Sequence, residues 1–254
     1  MSATPAAVRV DVSVVDIALP VTGQDPVRAW LVSGDDTWRP RPAVLWLHWL
    51  GHRHNDRGEF LALAVELASR GAVSLLPAGH FPWVSDPDGT AADIQRVRDQ
   101  VAAHAVALDH LAAQPGVDPA RLAVVGHDYG GMYGALLAER DERVTTLVVQ
   151  AGDATWSHWF SAYWLHLGDD ALKEYDARFA GLDPVEHVAR LGEGVLFQWA
   201  GRDTFVTEEA RAAYARANPL ARNRVYERAE HILDDRAQAD LRVFLAERWG
   251  LAQN

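Results

Sequence analysis

The sequence predicts an α/β protein built on a mostly parallel sheet with helices on both faces. Two observations carry this. Short, mostly apolar runs recur along the chain, the mark of strands covered on both sides. Between them lie segments with apolar residues at helical spacing, and such alternation winds a parallel sheet.

Taken in order, residues 8–20 and 27–33 flank the turn-forming Thr22-Gly23-Gln24-Asp25-Pro26, which predicts an N-terminal β-hairpin. A polar loop, Ser33–Pro42, leads to Ala43-Val-Leu-Trp-Leu-His48, a buried strand. Phe60, Leu61, Ala64, Leu67 and Ala68 mark a helix over 58–70 that ends at Gly71. Ala72–Pro77 is the next strand, and Thr90–Ala113 a long helix whose His104 and His110 read as structural. Strand 121–126, helix 130–140 and strand 144–150 follow. Residues 153–180 break the rhythm with Trp156, Trp159, Phe160, Tyr163, Trp164, Tyr175 and Phe179, as a small aromatic-rich lid over the strand ends would. Helix 183–191, strand 195–200, helix 207–217, strand 222–227 and helix 234–249 complete the chain. No repeat or linker interrupts it, so residues 1–254 are expected to form one domain with the lid inserted at about 153–180.

Composition narrows the functional classes. The 254 residues are 49% hydrophobic and 23% charged, and the net charge of −11, without a basic run, argues against nucleic acid or an anionic membrane as partner. The absence of cysteine excludes thiol nucleophiles and disulfides. No signal-like segment or membrane-length apolar run is evident, so a cytoplasmic protein is expected.

The chemistry centres on Gly126-His127-Asp128-Tyr129-Gly130-Gly131, where an apolar run ends and a helix-like segment begins at once. Small residues two positions either side of a reactive one are what a sharp strand-to-helix turn requires. Such a turn raises one side chain above the sheet, at a helix N-terminus that favours negative charge. In the usual G-x-S-x-G elbow that side chain is serine; here it is Asp128. Asp203, in Gly201-Arg-Asp-Thr-Phe-Val206, and His231, in Glu230-His-Ile-Leu233, also fall after predicted strands. Asp153 is an alternative partner for the histidine. His127 reads as a packed core residue. The group His48, His52, His54 and Asp56 matches no common zinc spacing, and no metal or other cofactor is expected.

Nucleophile, acid, histidine in that order, with a loop at His48-Trp49-Leu50-Gly51 placed for an oxyanion hole, resembles the α/β-hydrolase superfamily. The insert and Asp183-Pro-Val-Glu-His before Gly201-Arg-Asp203 resemble its dienelactone-hydrolase branch, which uses cysteine or serine as nucleophile. The elbow instead resembles those of epoxide hydrolases and haloalkane dehalogenases. The resemblance implies an α/β-hydrolase fold over roughly residues 40–250 and an Asp128–His231–Asp203 triad.

Aspartate changes the reaction. A carboxylate is already ionised at neutral pH, but its attack on an acyl group gives only an anhydride. Its attack on a saturated carbon bearing a strained oxygen or a halide gives a stable alkyl ester. His231, oriented by Asp203, would then activate water against that ester. Backbone N–H groups of Tyr129 and of Trp49 or Leu50 would hold the oxyanion, worth about 3 kcal/mol per donor. Tyr163 is the candidate to protonate an epoxide oxygen; Trp49, Trp156, Trp159 and Trp164 can assist either leaving group or line the pocket, and His48 is a further pocket candidate. The expected substrate is a small apolar organic molecule, with water as co-reactant. Epoxide opening leads, because Tyr129 stands where a dehalogenase keeps tryptophan; hydrolytic dehalogenation is the runner-up. A non-catalytic binding protein on the same fold is the alternative of another class. An apolar lid edge could support a homodimer.

Overall fold

The computed structural model describes residues 11–35, 40–51 and 57–250. They form an eight-stranded sheet in the order β1-β2-β4-β3-β5-β6-β7-β8. Its strands are β1 (Val12–Leu19), β2 (Val27–Gly34), β3 (Arg41–Leu47), β4 (Val73–Pro77), β5 (Val117–His127), β6 (Val144–Gln150), β7 (Val195–Ala200) and β8 (Arg222–Tyr226). β1 and β2 pair as the antiparallel hairpin expected, Val12 opposite Gly34, and β2 joins β4 antiparallel. From β4 through β3 to β8 every pairing is parallel.

The alternation of strand side chains sorts the core into two layers. Leu45, Leu47 and Val124 face the layer built with helices α2 (Ala92–Ala112) and α3 (Tyr129–Arg140). Val44, Trp46, Ala123 and Val125 face α1 (Leu61–Ala68) and α7 (Asp235–Trp249). All seven residues of β3 are buried, as a strand covered on both faces must be. α7 is closed at both ends: the Asp234 carboxylate accepts from the N–H groups of Arg236 and Ala237, and Gly250 takes the left-handed conformation past the last turn.

Two boundaries differ from expectation. β5 begins at Val117, because Val117 pairs with Arg41 across a bulge before the ladder resumes at Leu122–Ala43. The helix expected over 183–191 is replaced by two short 3₁₀ turns, Pro184–His187 and Gly192–Gly194. Here the Asp183 carboxylate accepts the Trp156 N–H (3.0 Å), the Val185 N–H reaches the Ala154 carbonyl (3.3 Å), and Gly192 turns at φ 51°. These tertiary bonds pull the segment across the lid.

The lid starts with α4 (Trp156–Phe160) and runs into a π-helical turn, Ser161–Leu165, closed by the His166 N–H on the Ser161 carbonyl (3.1 Å). α5 (Asp169–Ala177) follows, and α6 (Glu208–Ala217) lies after β7. Among the described residues no helix is long and apolar enough to cross a membrane.

Candidate active site

The turn between β5 and α3 is as tight as its glycines imply. A Cβ on Gly126 would come within 2.2 Å of the Gly130 carbonyl oxygen, and one on Gly130 within 2.0 Å of the Leu47 oxygen. Only glycine lets the strand, the helix and the end of β3 pass so close. Between them Asp128 sits at φ 55°, ψ −124°, a conformation L-residues rarely adopt. It raises the carboxylate above the carboxyl ends of the strands, at the N-terminus of α3.

Asp128 is buried, with 4% of its surface exposed. Oδ2 accepts the backbone N–H of Leu50 at 3.0 Å, and Oδ1, also buried, has no hydrogen-bond partner among the described residues. Burial raises the carboxyl from its usual range, while His231, His127 and the Leu50 N–H pull it back only in part.

His231 follows β8 and meets Asp203, which follows β7: Nδ1 lies 3.1 Å from Oδ1 and 3.0 Å from Oδ2. Asp203 Oδ1 also accepts the N–H groups of Phe205 (2.8 Å) and Val206 (3.2 Å). Burial alone would raise Asp203, but the bond and charge of His231 and those two N–H groups outweigh it and hold the carboxyl low. Asp153 is committed elsewhere: its Oδ2 meets His158 Nδ1 of the lid at 2.7 Å. Of the two candidates, Asp203 is therefore the carboxylate that meets the His231 ring.

A cavity of about 250 Å³ opens on Asp128 and His231, lined by Trp49, Leu50, Tyr129, Trp159, Tyr163, Trp164 and Phe205. Tyr163 is partly exposed (38%), whereas the Tyr129 hydroxyl and the Trp159 indole N–H are buried without a partner among the described residues. Both phenols are raised by burial and by the Asp128 charge.

Three expected placements are corrected. Trp156 does not line the cavity; its indole donates to the Leu182 carbonyl (2.7 Å) and its ring packs on Tyr133 (4.7 Å between centroids). His48 is buried behind the site, with Nδ1 on the Trp49 carbonyl (2.8 Å) and Nε2 accepting the Gly79 N–H (2.9 Å). The Trp49 N–H is taken by Glu59 Oε2 (2.8 Å), so of the two donors expected on that loop only Leu50 is aimed at Asp128, while Trp49 lines the cavity, the other place expected for it. His52, His54 and Asp56 of the histidine-rich stretch lie outside the described residues.

Two contributors had no local signal in the sequence. Phe205 packs on His231 with ring centroids 4.9 Å apart. Glu59, on the turn before α1, reaches His127 Nδ1 with Oε1 (2.6 Å), and His127 Nε2 lies 2.9 Å from the His231 carbonyl.

Solved structures share this architecture. A putative dienelactone hydrolase from Klebsiella pneumoniae superposes at TM-score 0.68 with 15% identity, over 95% of this chain and 100% of that one. An acetyl xylan esterase from Paenibacillus sp. R4 gives TM-score 0.74 with 15% identity, over 97% of this chain and 86% of its own. A prolyl endopeptidase gives 0.72 with 18% identity, but 95% of this chain spans only 39% of that protein. No curated protein sequence matches significantly. Sheet order, elbow and neighbours make this an α/β-hydrolase fold, and the profile of the prolyl oligopeptidase family matches residues 93–249. The chain is thus a hydrolase of the α/β-hydrolase superfamily and belongs to the prolyl oligopeptidase family.

Proposed function

We propose that the chain hydrolyses a small apolar substrate at a saturated carbon through a covalent ester on Asp128, with an epoxide as the substrate class. The two unequal oxygens of Asp128 carry this reading. Oδ2 already sits on a backbone N–H, where the carbonyl oxygen of an ester would lie, while Oδ1 is buried and unbonded among the described residues, as a nucleophile should be.

In the first step Oδ1 attacks the epoxide carbon, the C–O bond breaks, and the departing oxygen takes a proton from a phenol. Tyr163 and Tyr129 both line the cavity, which gives the ring oxygen two donors. In the second step Nε2 of His231, held by Asp203 through Nδ1, takes a proton from water. The resulting hydroxide attacks Cγ of the ester. The oxyanion forms on Oδ2, facing the Leu50 N–H; the Tyr129 N–H, which as the first of α3 has no partner within the helix, is assigned as the second donor. Collapse breaks the Cγ–Oδ1 bond, and the alkoxide takes the proton held by His231 and leaves as the diol. The new carboxyl gives its proton back to the phenolate, which restores both the carboxylate and the tyrosine. Amide cleavage, which the family name would suggest, would take this nucleophile through an anhydride.

One observation favours the second reading, hydrolytic dehalogenation: the indole N–H of Trp159 beside the cavity, unbonded among the described residues, suits a departing halide.

The test is mass spectrometry of the intact His231→Gln protein after incubation with panels of epoxides and bromoalkanes. An adduct of substrate mass on the peptide holding Asp128, absent when Asp128→Asn is added, is the expected outcome. Epoxide adducts support the first reading and loss of bromide the second. No adduct from either panel would overturn the covalent ester on Asp128.

A further inference from the structure

The buried pair Glu59–His127 is not used by the reaction just described, yet it touches each of its parts. His127 is 1% exposed and lies next to Asp128 in the chain. Its two ring nitrogens face only acceptors: Nδ1 meets Glu59 Oε1 at 2.6 Å, and Nε2 meets the carbonyl of His231 at 2.9 Å. An imidazole between two acceptors satisfies both only by carrying a hydrogen on each nitrogen, and is then a cation. Glu59 Oε2 meanwhile holds the Trp49 N–H at 2.8 Å, next to the Leu50 N–H that bonds Asp128. The Trp49 ring lies flat on His127, centroids 5.5 Å apart and planes 9° from parallel.

We propose that His127 is a permanent imidazolium, fixed by Glu59, which positions the oxyanion loop and the His231 loop against the elbow and supplies the counter-charge that keeps Asp128 ionised in a dry pocket. The counter-charge role rests on Asp128 being the nucleophile; the protonation of His127 does not. Burial alone would lower His127, but the charge and hydrogen bond of Glu59 and the charge of Asp128 outweigh it and raise it above the usual imidazole range. Among the described residues, the titratable groups that face Asp128 are His231 with its partner Asp203, His127 with Glu59, and the phenols of Tyr129 and Tyr163. Only the two imidazoles can be positive, and His231 must spend part of the cycle neutral. His127 is the positioning residue left to balance the carboxylate throughout.

The sign of each substitution follows. His127→Gln removes the cation and leaves Glu59 as an uncompensated anion, so the Asp128 carboxyl should titrate about one pH unit higher. Glu59→Gln keeps an oxygen for the Trp49 N–H but leaves His127 neutral. Cation and anion go together, so Asp128 should rise by less.

The experiment uses the full chain labelled with ¹⁵N-histidine and ¹³C-aspartate and needs no substrate. At pH 7.5, where an ordinary imidazole is mostly neutral, the ring signals lost in His127→Gln should show both nitrogens protonated, and should become those of a neutral ring in Glu59→Gln. The Asp128 carboxyl signal should titrate in the order wild type, Glu59→Gln, His127→Gln, from low to high pH. A neutral His127 in the wild type overturns the proposal even if a variant fails to fold, and so does an Asp128 titration that neither substitution moves. Failure of the nucleophile reading would appear separately, as a wild-type protein with an imidazolium at His127 that turns over neither epoxides nor haloalkanes.

Discussion

Replacing Asp203 by Asn should separate the two half-reactions, and the structure dictates how. Asp203 Oδ1 accepts two backbone N–H groups, from Phe205 at 2.8 Å and Val206 at 3.2 Å. The asparagine carbonyl must take that position, because an NH₂ there would face two donors. The NH₂ is then left where Oδ2 was, 3.0 Å from His231 Nδ1. A donor at that place makes Nδ1 the acceptor and moves the ring proton to Nε2. The base now points a proton at the water it should deprotonate. The loss expected from such a wrong tautomer is about 10⁴-fold, or about 5.4 kcal/mol of transition-state stabilisation. Ester formation needs no base, so it should proceed within a few-fold of the wild-type rate. Rapid-quench mass spectrometry with an accepted epoxide should show one equivalent of adduct on Asp128 formed at normal speed, decaying about 10⁴ times more slowly. A variant whose adduct decays within about tenfold of the wild-type rate would refute the assignment of Asp203. Equal losses in both steps would refute the base-free first step.

Tyr163→Phe should slow epoxide opening by about 10²-fold while leaving displacement of bromide nearly unchanged; equal losses, measured as adduct formation, would remove the phenol from leaving-group assistance. Gly130→Ala should cost about 3 kcal/mol or more in a urea titration, since its Cβ would meet the Leu47 oxygen at 2.0 Å and the His48 oxygen at 2.8 Å. Gly168→Ala, whose Cβ meets nothing within 4 Å among the described residues, should change stability by less than about 0.5 kcal/mol and serves as its control. Burial, with the nearby His48 adding to it, pushes His104 down to about 3. The unfolded chain takes up that proton near pH 6.5, so this contribution is complete above that pH and lost as pH falls toward the folded value. The unfolding free energy from urea titrations should therefore fall more steeply from neutral pH to about pH 5 in the wild type than in His104→Leu, by about 2 kcal/mol.

The parallel core was legible because its strands are buried on both faces: Ala43–Leu47 reads as an unbroken apolar run, Val144–Gln150 and Val195–Ala200 as mostly apolar ones, and all three stand where expected. The elbow was legible because crowding restricts the residue type, and Gly126 and Gly130 mark that crowding directly. The segment 183–191 misled, since its spacing suits a helix while Asp183 and Val185 form their bonds with the lid instead. Glu59 had no sequence signal at all. It stands 68 positions from His127 and 10 from Trp49, and no periodicity links residues that meet only across a turn. The lid's aromatics were recognised as a group, but which of them border the cavity depends on the π-helical turn, which residue type alone does not announce.

That turn has a consequence of its own. Successive residues of an α-helix point about 100° apart, so a regular helix would direct Tyr163 and Trp164 to different sides. The wider winding over Ser161–Leu165 belongs to a lid in which Trp159, Tyr163 and Trp164 all border one chamber. Its contour is therefore governed by how many residues the coil holds as well as by which ones they are. Losing a single codon there would tighten the winding and swing these rings, reshaping what fits inside while leaving the charged groups beneath in place.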